Sequence, residues 1–538
     1  MDRSDERLTR LPGEAPGRRQ FLRGIAATGA VAGAGGLLAA CGGSAKSPQA
    51  NAAASNAPKR RGGNLKVGLA GGSSSDTLDP HQGLTYLDTG RFEALYQPLV
   101  KLNKQAEVEY VLAESISPYK GSLSQWVIKL RPGVTFHNGK DFTADDLIFT
   151  LQRIISNHYS GTLFLGPIDL KGVKALDKLT VLVPMTTPFA SFVDQLAGGW
   201  YYLYIVPTGF NPKTPVGSGP FAYQSFTPGQ RSVFARNKNY WKPGLPYVDV
   251  VTIIDFSDNA AVQDALITNA IQAAGQLDPP QIPALANTSG VRTVASQTGQ
   301  FKPFTMRVDQ APFNDPNVRQ ALRLLVDRQQ MIDSALNGYG VLASDVFAPY
   351  DADFNASLRR QQDIPLAKSL LKKAGHANLT VQLTTSAIAT GTVAMATVLA
   401  EQAAVAGVTV KLNQVDPGTF FATSKYLNWT FSQDYYSYAP YLNQVAQSFL
   451  GSASPFNETH SNNAHYISLY GQANATADPS VRKQIEYEMQ QYDFNNGAYI
   501  IPTFMDTLDA YSDKITGYTT SKVGESLSNW DFEHFSFV

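Results

Sequence analysis

After residue 41 the chain contains no cysteine, and Cys41 itself is the only one in 538 residues. A body built from the residues beyond it can hold no intramolecular disulfide, zinc–thiolate cluster or cysteine nucleophile, so packing alone has to stabilise it. The surroundings of Cys41 sharpen that constraint. Gly17-Arg18-Arg19-Gln20-Phe21-Leu22-Arg23 sets paired arginines before an Ala/Gly-rich apolar run from Gly24 to Ala40, which closes on Leu38-Ala39-Ala40-Cys41. This order reads as a twin-arginine export signal over residues 1–40, in which small residues lead to a cysteine that takes lipid and becomes the new N-terminus. The run is weakly apolar and falls short of the roughly 20 residues a membrane-spanning helix needs. The sequence therefore predicts a chain tied through Cys41 to the outer face of the cytoplasmic membrane, without the disulfides common outside the cell.

Beyond residue 40 the chain keeps 498 residues, with 38 Lys+Arg against 40 Asp+Glu. That length suits two or more domains with large cores. The near-neutral balance, with no basic patch or arginine run, argues against nucleic acid as a partner. Residues 41–63 are rich in Ser, Ala, Asn and Gly and show no apolar periodicity, so they read as a flexible tether.

From Asn64 the pattern is mixed α/β. Asn64-Leu65-Lys66-Val67-Gly68-Leu69 alternates like a half-buried strand, and Trp126-Val127-Ile128-Lys129-Leu130 is a second such run. In Phe136-His137-Asn138-Gly139 the Asn-Gly pair offers the positive φ angles of a tight hairpin. Thr143, with Asp146 three residues on, predicts a capped helix. Asp315 and Pro316 mark another helix start, after which Val318, Leu322, Leu325 and Val326 share one face. A helix over residues 366–375 ends at Gly375. A strand at 379–383, a helix at 392–406 and a strand at 408–412 then give a β-α-β unit, which calls for parallel strands.

Four further sets of residues stand out: Leu78-Asp79-Pro80-His81 with Leu95-Tyr96-Gln97-Pro98-Leu99-Val100; Trp126 through Leu130 with Arg131-Pro132-Gly133 through Asp146-Leu147; Val216-Gly217-Ser218-Gly219-Pro220-Phe221 with Arg236-Asn237-Lys238-Asn239-Tyr240-Trp241; and Pro312-Phe313-Asn314-Asp315-Pro316 through Val326-Asp327-Arg328. Together they resemble the extracellular solute-binding proteins of family 5, the oligopeptide, dipeptide and nickel type. They run in order from about residue 64 to Pro502. The resemblance implies a two-lobed clamp of the type II periplasmic-binding kind, with an extra domain in the first lobe. Lobe I would combine 64–97, 216–309 and 503–538, with 98–215 as the added domain and 310–502 as lobe II. A solute would sit between the lobes, closure would bury it, and a membrane permease with its ATPase would recognise the loaded form. A monomer, without a cofactor, is expected.

The signature motifs are turn and cap chemistry and identify a fold without touching a ligand. The resemblance places the solute elsewhere, at Trp429-Thr430-Phe431-Ser432-Gln433-Asp434-Tyr435-Tyr436-Ser437-Tyr438-Ala439-Pro440-Tyr441. Peptide-binding members use an aspartate-tyrosine pair after a strand to hold the peptide's α-ammonium, and Asp434-Tyr435 falls on that pattern. An ammonium drawn from water into a closed cleft needs such a carboxylate. The chain then departs from the family by continuing Tyr436-Ser437-Tyr438-Ala439-Pro440, so the rings of Trp429, Phe431, Tyr435 and Tyr436 either meet solute or belong to the core. Gln300 and Phe301, in the crossover before the third signature, and Ser75, after the first strand, are further candidates for the cleft wall. A short peptide is the expected solute, with an oligosaccharide or a metal chelate as alternatives on the same clamp.

Enzyme chemistry has little to rest on. Ser369-Leu370-Leu371-Lys372 has the spacing of a serine–lysine pair, which would make the chain an exported serine hydrolase, but it lies within an amphipathic helix and lacks partner motifs. Gly217-Ser218-Gly219 lacks the glycine spacing of a nucleophile elbow. None of the seven histidines pairs with another at i, i+4, so no metal site is expected from them.

Overall fold

The computed structural model describes residues 58–538, apart from 84 and 423. The export signal, Cys41 and most of the predicted tether lie outside the described residues.

The first strand, Asn64–Ala70, buries Leu65, Val67 and Leu69 completely, as its alternation predicts. It runs parallel to Val250–Phe256 on one side and to Ala273–Ala274 on the other. Gly68 allows that close packing, since a Cβ there would stand 2.6 Å from Ile271 and 2.7 Å from Phe256. Antiparallel strands extend both flanks into an eight-stranded sheet. Phe221–Thr227 and Arg231–Arg236 close one side, and Thr503–Ser512, Val291–Phe301 and the short Gly340–Leu342 the other. Below its strand ends Arg91, fully buried, meets Asp76, Asp88 and Asp255 at 2.7–2.9 Å and so fixes the loop after the first strand. Burial pushes the Asp255 carboxyl up to about 7 against the pull of Arg91.

A second, five-stranded sheet holds the β-α-β unit. Thr380–Thr385 and Thr409–Gln414 lie parallel, joined by the helix Thr392–Val405. Phe431–Gln433, Phe304–Met306 and Tyr499–Ile500 complete it. Its core gathers Phe304, Met306, Leu322, Leu383, Leu399 and Phe431. The helix Pro316–Leu324 begins as expected, with Asp315 accepting from the Asn317 amide. A separate four-stranded antiparallel sheet, Ala113–Tyr119, Ser122–Leu130, Thr180–Pro184 and Lys174–Asp177, is backed by the helix Ala144–Ser156. That helix starts on the expected capping box, in which the Asp146 carboxylate accepts from both the backbone amide and the hydroxyl of Thr143, at 3.0 Å each.

The two large sheets share a seam. Phe301 pairs with Phe504 in the first sheet, and three residues later Phe304 pairs with Ile500 in the second. Both connectors, Lys302-Pro303 and Ile501-Pro502, carry a proline where the strands change sheets and need no ladder donor. A third strand joins the seam as the Asp434 amide donates to Pro303 O and Tyr436 pairs with Phe301.

Three expectations change. The Asn138-Gly139 turn spans Phe136–Gly139, and only Gly139 is left-handed, at φ 82°. The tether ends earlier than residue 63: Arg60 bridges to Phe537, and Gly62 and Gly63 exchange backbone bonds with Tyr247, Asp249 and Val250. Within residues 310–502, Tyr441, Phe449, Tyr466 and Met489 join the hydrophobic cluster of the first lobe and added domain, not that of the second sheet. Helix Tyr441–Ser448 is buried throughout because it packs on the added domain, where Asn443 donates to Gln195 O at 3.3 Å.

Candidate functional site

Parallel strands direct their C-terminal ends to one edge, and in open α/β sheets that edge is where ligands bind. In the second sheet it carries Thr385-Ser386 and Gln433-Asp434. In the first sheet it carries Ala70, Phe256 and Ala274, followed by Gln276 and Asp278. The two edges meet where the Thr390 hydroxyl donates to Asp278 at 2.8 Å. Asp278 also accepts from Asn259 at 2.9 Å.

Asp434 is buried on this seam. One carboxylate oxygen accepts from the Tyr426 hydroxyl at 2.7 Å and the other from the Tyr435 amide at 2.8 Å. Tyr435 packs with Ile388, Phe420, Phe421 and Tyr426, and Trp429 lies against that group. The indole N–H of Trp429 donates to Phe420 O at 3.1 Å, and its half-buried ring stacks on Phe420 at 6.0 Å. The structure thus brings Asp434, Tyr435 and Trp429 together as a carboxylate beside an aromatic wall.

The other candidates sit elsewhere. Phe431 lies in the second-sheet core, because its ring projects from a central strand onto a face where Phe304 and Phe313 cover it. Tyr436 stacks on Phe301 at 5.3 Å, Phe301 on Phe347 at 6.0 Å, and Phe347 on Tyr441 at 5.0 Å. Those rings fill the seam's interior. The Tyr436 hydroxyl donates to Glu458 at 2.6 Å. Gln300 donates to Gly524 O and so ties down the C-terminal segment. Ser75 is exposed in a turn with Ser73 at 2.7 Å, apart from Asp434's neighbours.

Sequence reasoning passed over the polar groups on either side of Asp434. Gln433 is fully buried and accepts from the Thr385 hydroxyl at 2.7 Å. Among the described residues its Nε2, Ser386 Oγ and Gln276 Nε2 are buried without hydrogen-bond partners. Lys302, one residue after the singled-out Gln300-Phe301, is 7 % exposed, and its ammonium contacts Met505 Sδ at 2.6 Å. Burial pulls it down to about 7, against a partial pull upward from Asp278. The signal for Gln433 and Lys302 was their adjacency to residues already singled out; polar residues at strand ends carry no motif.

Among the described residues two acidic groups have metal-like spacing, Asp531/Glu533/His534 and Asp351/Asp353/Glu486. In the first, Lys104 and Lys242 already pair with Asp531 and Glu533 at 2.6 and 2.7 Å. In the second, burial followed by the nearby Asp351 and Asp353 pushes Glu486 up to about 9, so it is a neutral acid at pH 7. Ser369 and Lys372 are exposed on the helix Ile364–Lys373, and Ser218 is buried between glycines packed on the Leu95 backbone.

Two α/β lobes joined by paired crossovers, with an added domain and a polar seam, define a type II periplasmic-binding fold. The chain matches the family of bacterial extracellular solute-binding proteins, family 5, over residues 107–456, and it belongs to that family. The glutathione-binding protein GsiB of Escherichia coli O6:K15:H31 is 30% identical over 322 residues, covering 58% of this chain and 62% of that protein. Solved structures share the fold. AgaA from A. tumefaciens R10, in complex with agropinic acid, has a TM-score of 0.75 at 23% identity, covering 88% of this chain and 99% of that one. DppA from Helicobacter pylori, in complex with the peptide STSA, has 0.75 at 21% identity, covering 89% and 98%.

Proposed function

We propose that the chain is the substrate-binding component of an ABC importer, which captures a short peptide outside the cytoplasmic membrane and presents it to a permease. The observation that carries the peptide is the buried Asp434 beside the wall of Tyr435 and Trp429. A peptide's α-ammonium supplies the cation that such a carboxylate favours, with Tyr426 and the Tyr435 amide orienting its oxygens. The aromatic wall then receives a side chain. The likeness to a glutathione-binding protein supports a small peptide-like solute, and membership of a solute-binding family supports capture without turnover. In this reading Cys41 carries the lipid, and the protein acts as a monomer.

The test is native mass spectrometry and calorimetry of the purified protein with a defined tripeptide pool. Peptide should be retained intact, and Asp434→Ala should weaken binding at least 30-fold, as expected when a buried charge partner is removed. Unchanged affinity in Asp434→Ala would reject the anchor. Cleaved products that vanish in Ser369→Ala would instead establish the hydrolase.

A further inference from the structure

An ammonium taken out of water is costly unless an anion meets it. Lys302 is buried at the seam, and its direct contact is a thioether, which accepts only weakly. Among the described residues no carboxylate forms an ion pair with it. The acid whose charge acts on it, Asp278, is committed to Thr390 and Asn259.

Its surroundings are rich in donors. The pairs Phe301–Tyr436 and Phe304–Gln433 put Lys302 opposite Tyr435, and period-two alternation places Lys302, Gln433 and Tyr435 on one face. Thr385 occupies Gln433 Oε1, which leaves the buried Nε2 donor without a partner. Met505, which Lys302 touches, lies beside Gly391, the N-cap of the 14-residue helix Thr392–Val405. Gly391 has no side chain to cap that helix, whose positive end adds to the local potential. Lys302, Gln433 and this helix start favour the same kind of occupant.

We propose that Lys302 is the cation of the cleft, and that the solute carries an anionic group, a carboxylate in the case of a peptide, that binds this ammonium when the lobes close. The proposal rests on the seam being the place where solute binds. It makes the solute two-ended: a cationic end at Asp434 and an anionic end at Lys302.

The experiment offers the purified full chain an equimolar mixture of tri-alanine, tri-alanine amide, citrate and maltotriose, with native mass spectrometry and calorimetry as readouts. Wild type should prefer tri-alanine over its amide at least tenfold, and Lys302→Met and Lys302→Gln should each lose that preference. Retention of citrate alone, lost in both variants, would uphold Lys302 while rejecting the peptide reading. Equal retention of acid and amide, retention of maltotriose alone, retention of no anion, or a preference that survives both substitutions would overturn it. Lys302→Gln guards against misfolding, because it keeps a polar group at the position.

Discussion

His137 shows how one ring can join two distant segments. Its Nδ1 accepts from the Gly217 amide at 3.2 Å, so the hydrogen lies on Nε2, which faces Gly219 O at 3.1 Å. The ring must be neutral to do both, and burial lowers it from 6.5 to about 4. Between those values the unfolded chain binds the extra proton. This contribution is therefore complete above pH 6.5 and is lost as pH falls toward 4. Acid-induced unfolding should show a loss of about 3 kcal/mol across that window, and the same titration of His137→Gln should lack it. Lys302 has the opposite charge logic but the same sign. Its depressed value means that the folded state releases a proton the unfolded state keeps between pH 7 and about 10. Without ligand, Lys302→Met should melt several degrees above wild type at pH 6, with the difference shrinking toward pH 10 in differential scanning fluorimetry.

Among the elements, the long helix Pro479–Asn496 carries a comparable liability. Glu486 is buried on it near Asp351 and Asp353, with Arg482 at 3.8 Å. A raised carboxyl binds a proton that the unfolded chain releases, so stability falls as pH rises from about 4.5 to about 9. Glu486→Gln should raise stability by about 2 kcal/mol at pH 8 and by little at pH 4.5, as read from urea unfolding. Regular elements such as these were legible in the sequence where the signal is local. Asp315-Pro316 starts a helix by filling its own first turn, and Leu65, Val67 and Leu69 declare a buried face by spacing alone. The run from Trp429 to Tyr441 was less legible. Its aromatic spacing marks strand and helix faces but not what covers them, and past Gln433 the chain leaves one sheet and enters the seam between two. Phe431 therefore went to the core, Trp429 to a half-exposed wall and Tyr436 to a ring stack, although all three share one stretch of sequence. Lys302 stayed hidden because its meaning lies in partners that are distant along the chain: Met505, Gln433 and Gly391.

For the molecule as a whole, the Thr390–Asp278 bond ties the edges of the two large sheets together, so in the clamp reading it would favour closure. One such bond contributes about 0.5–1.5 kcal/mol. Thr390→Val should therefore weaken solute binding roughly 2- to 10-fold, mainly through faster release, since an open population taxes the apparent affinity. Stopped-flow dissociation and small-angle scattering would register the faster off-rate and the larger unliganded radius; equal values in both proteins would remove the bond from the closing balance. The lobes also differ in how the chain reaches them. Arg60 bridges to Phe537 and Gly62 to Tyr247, so the segment entering the body is sewn into the first sheet beside the C-terminus. Anything that grips the protein ahead of residue 58 grips that lobe directly and the other only through the proline-bearing crossovers. In the reading that the chain is anchored through Cys41, the first lobe would be the moored half and the second the half that travels, and a docking partner would find one stationary face and one whose position reports whether cargo is aboard.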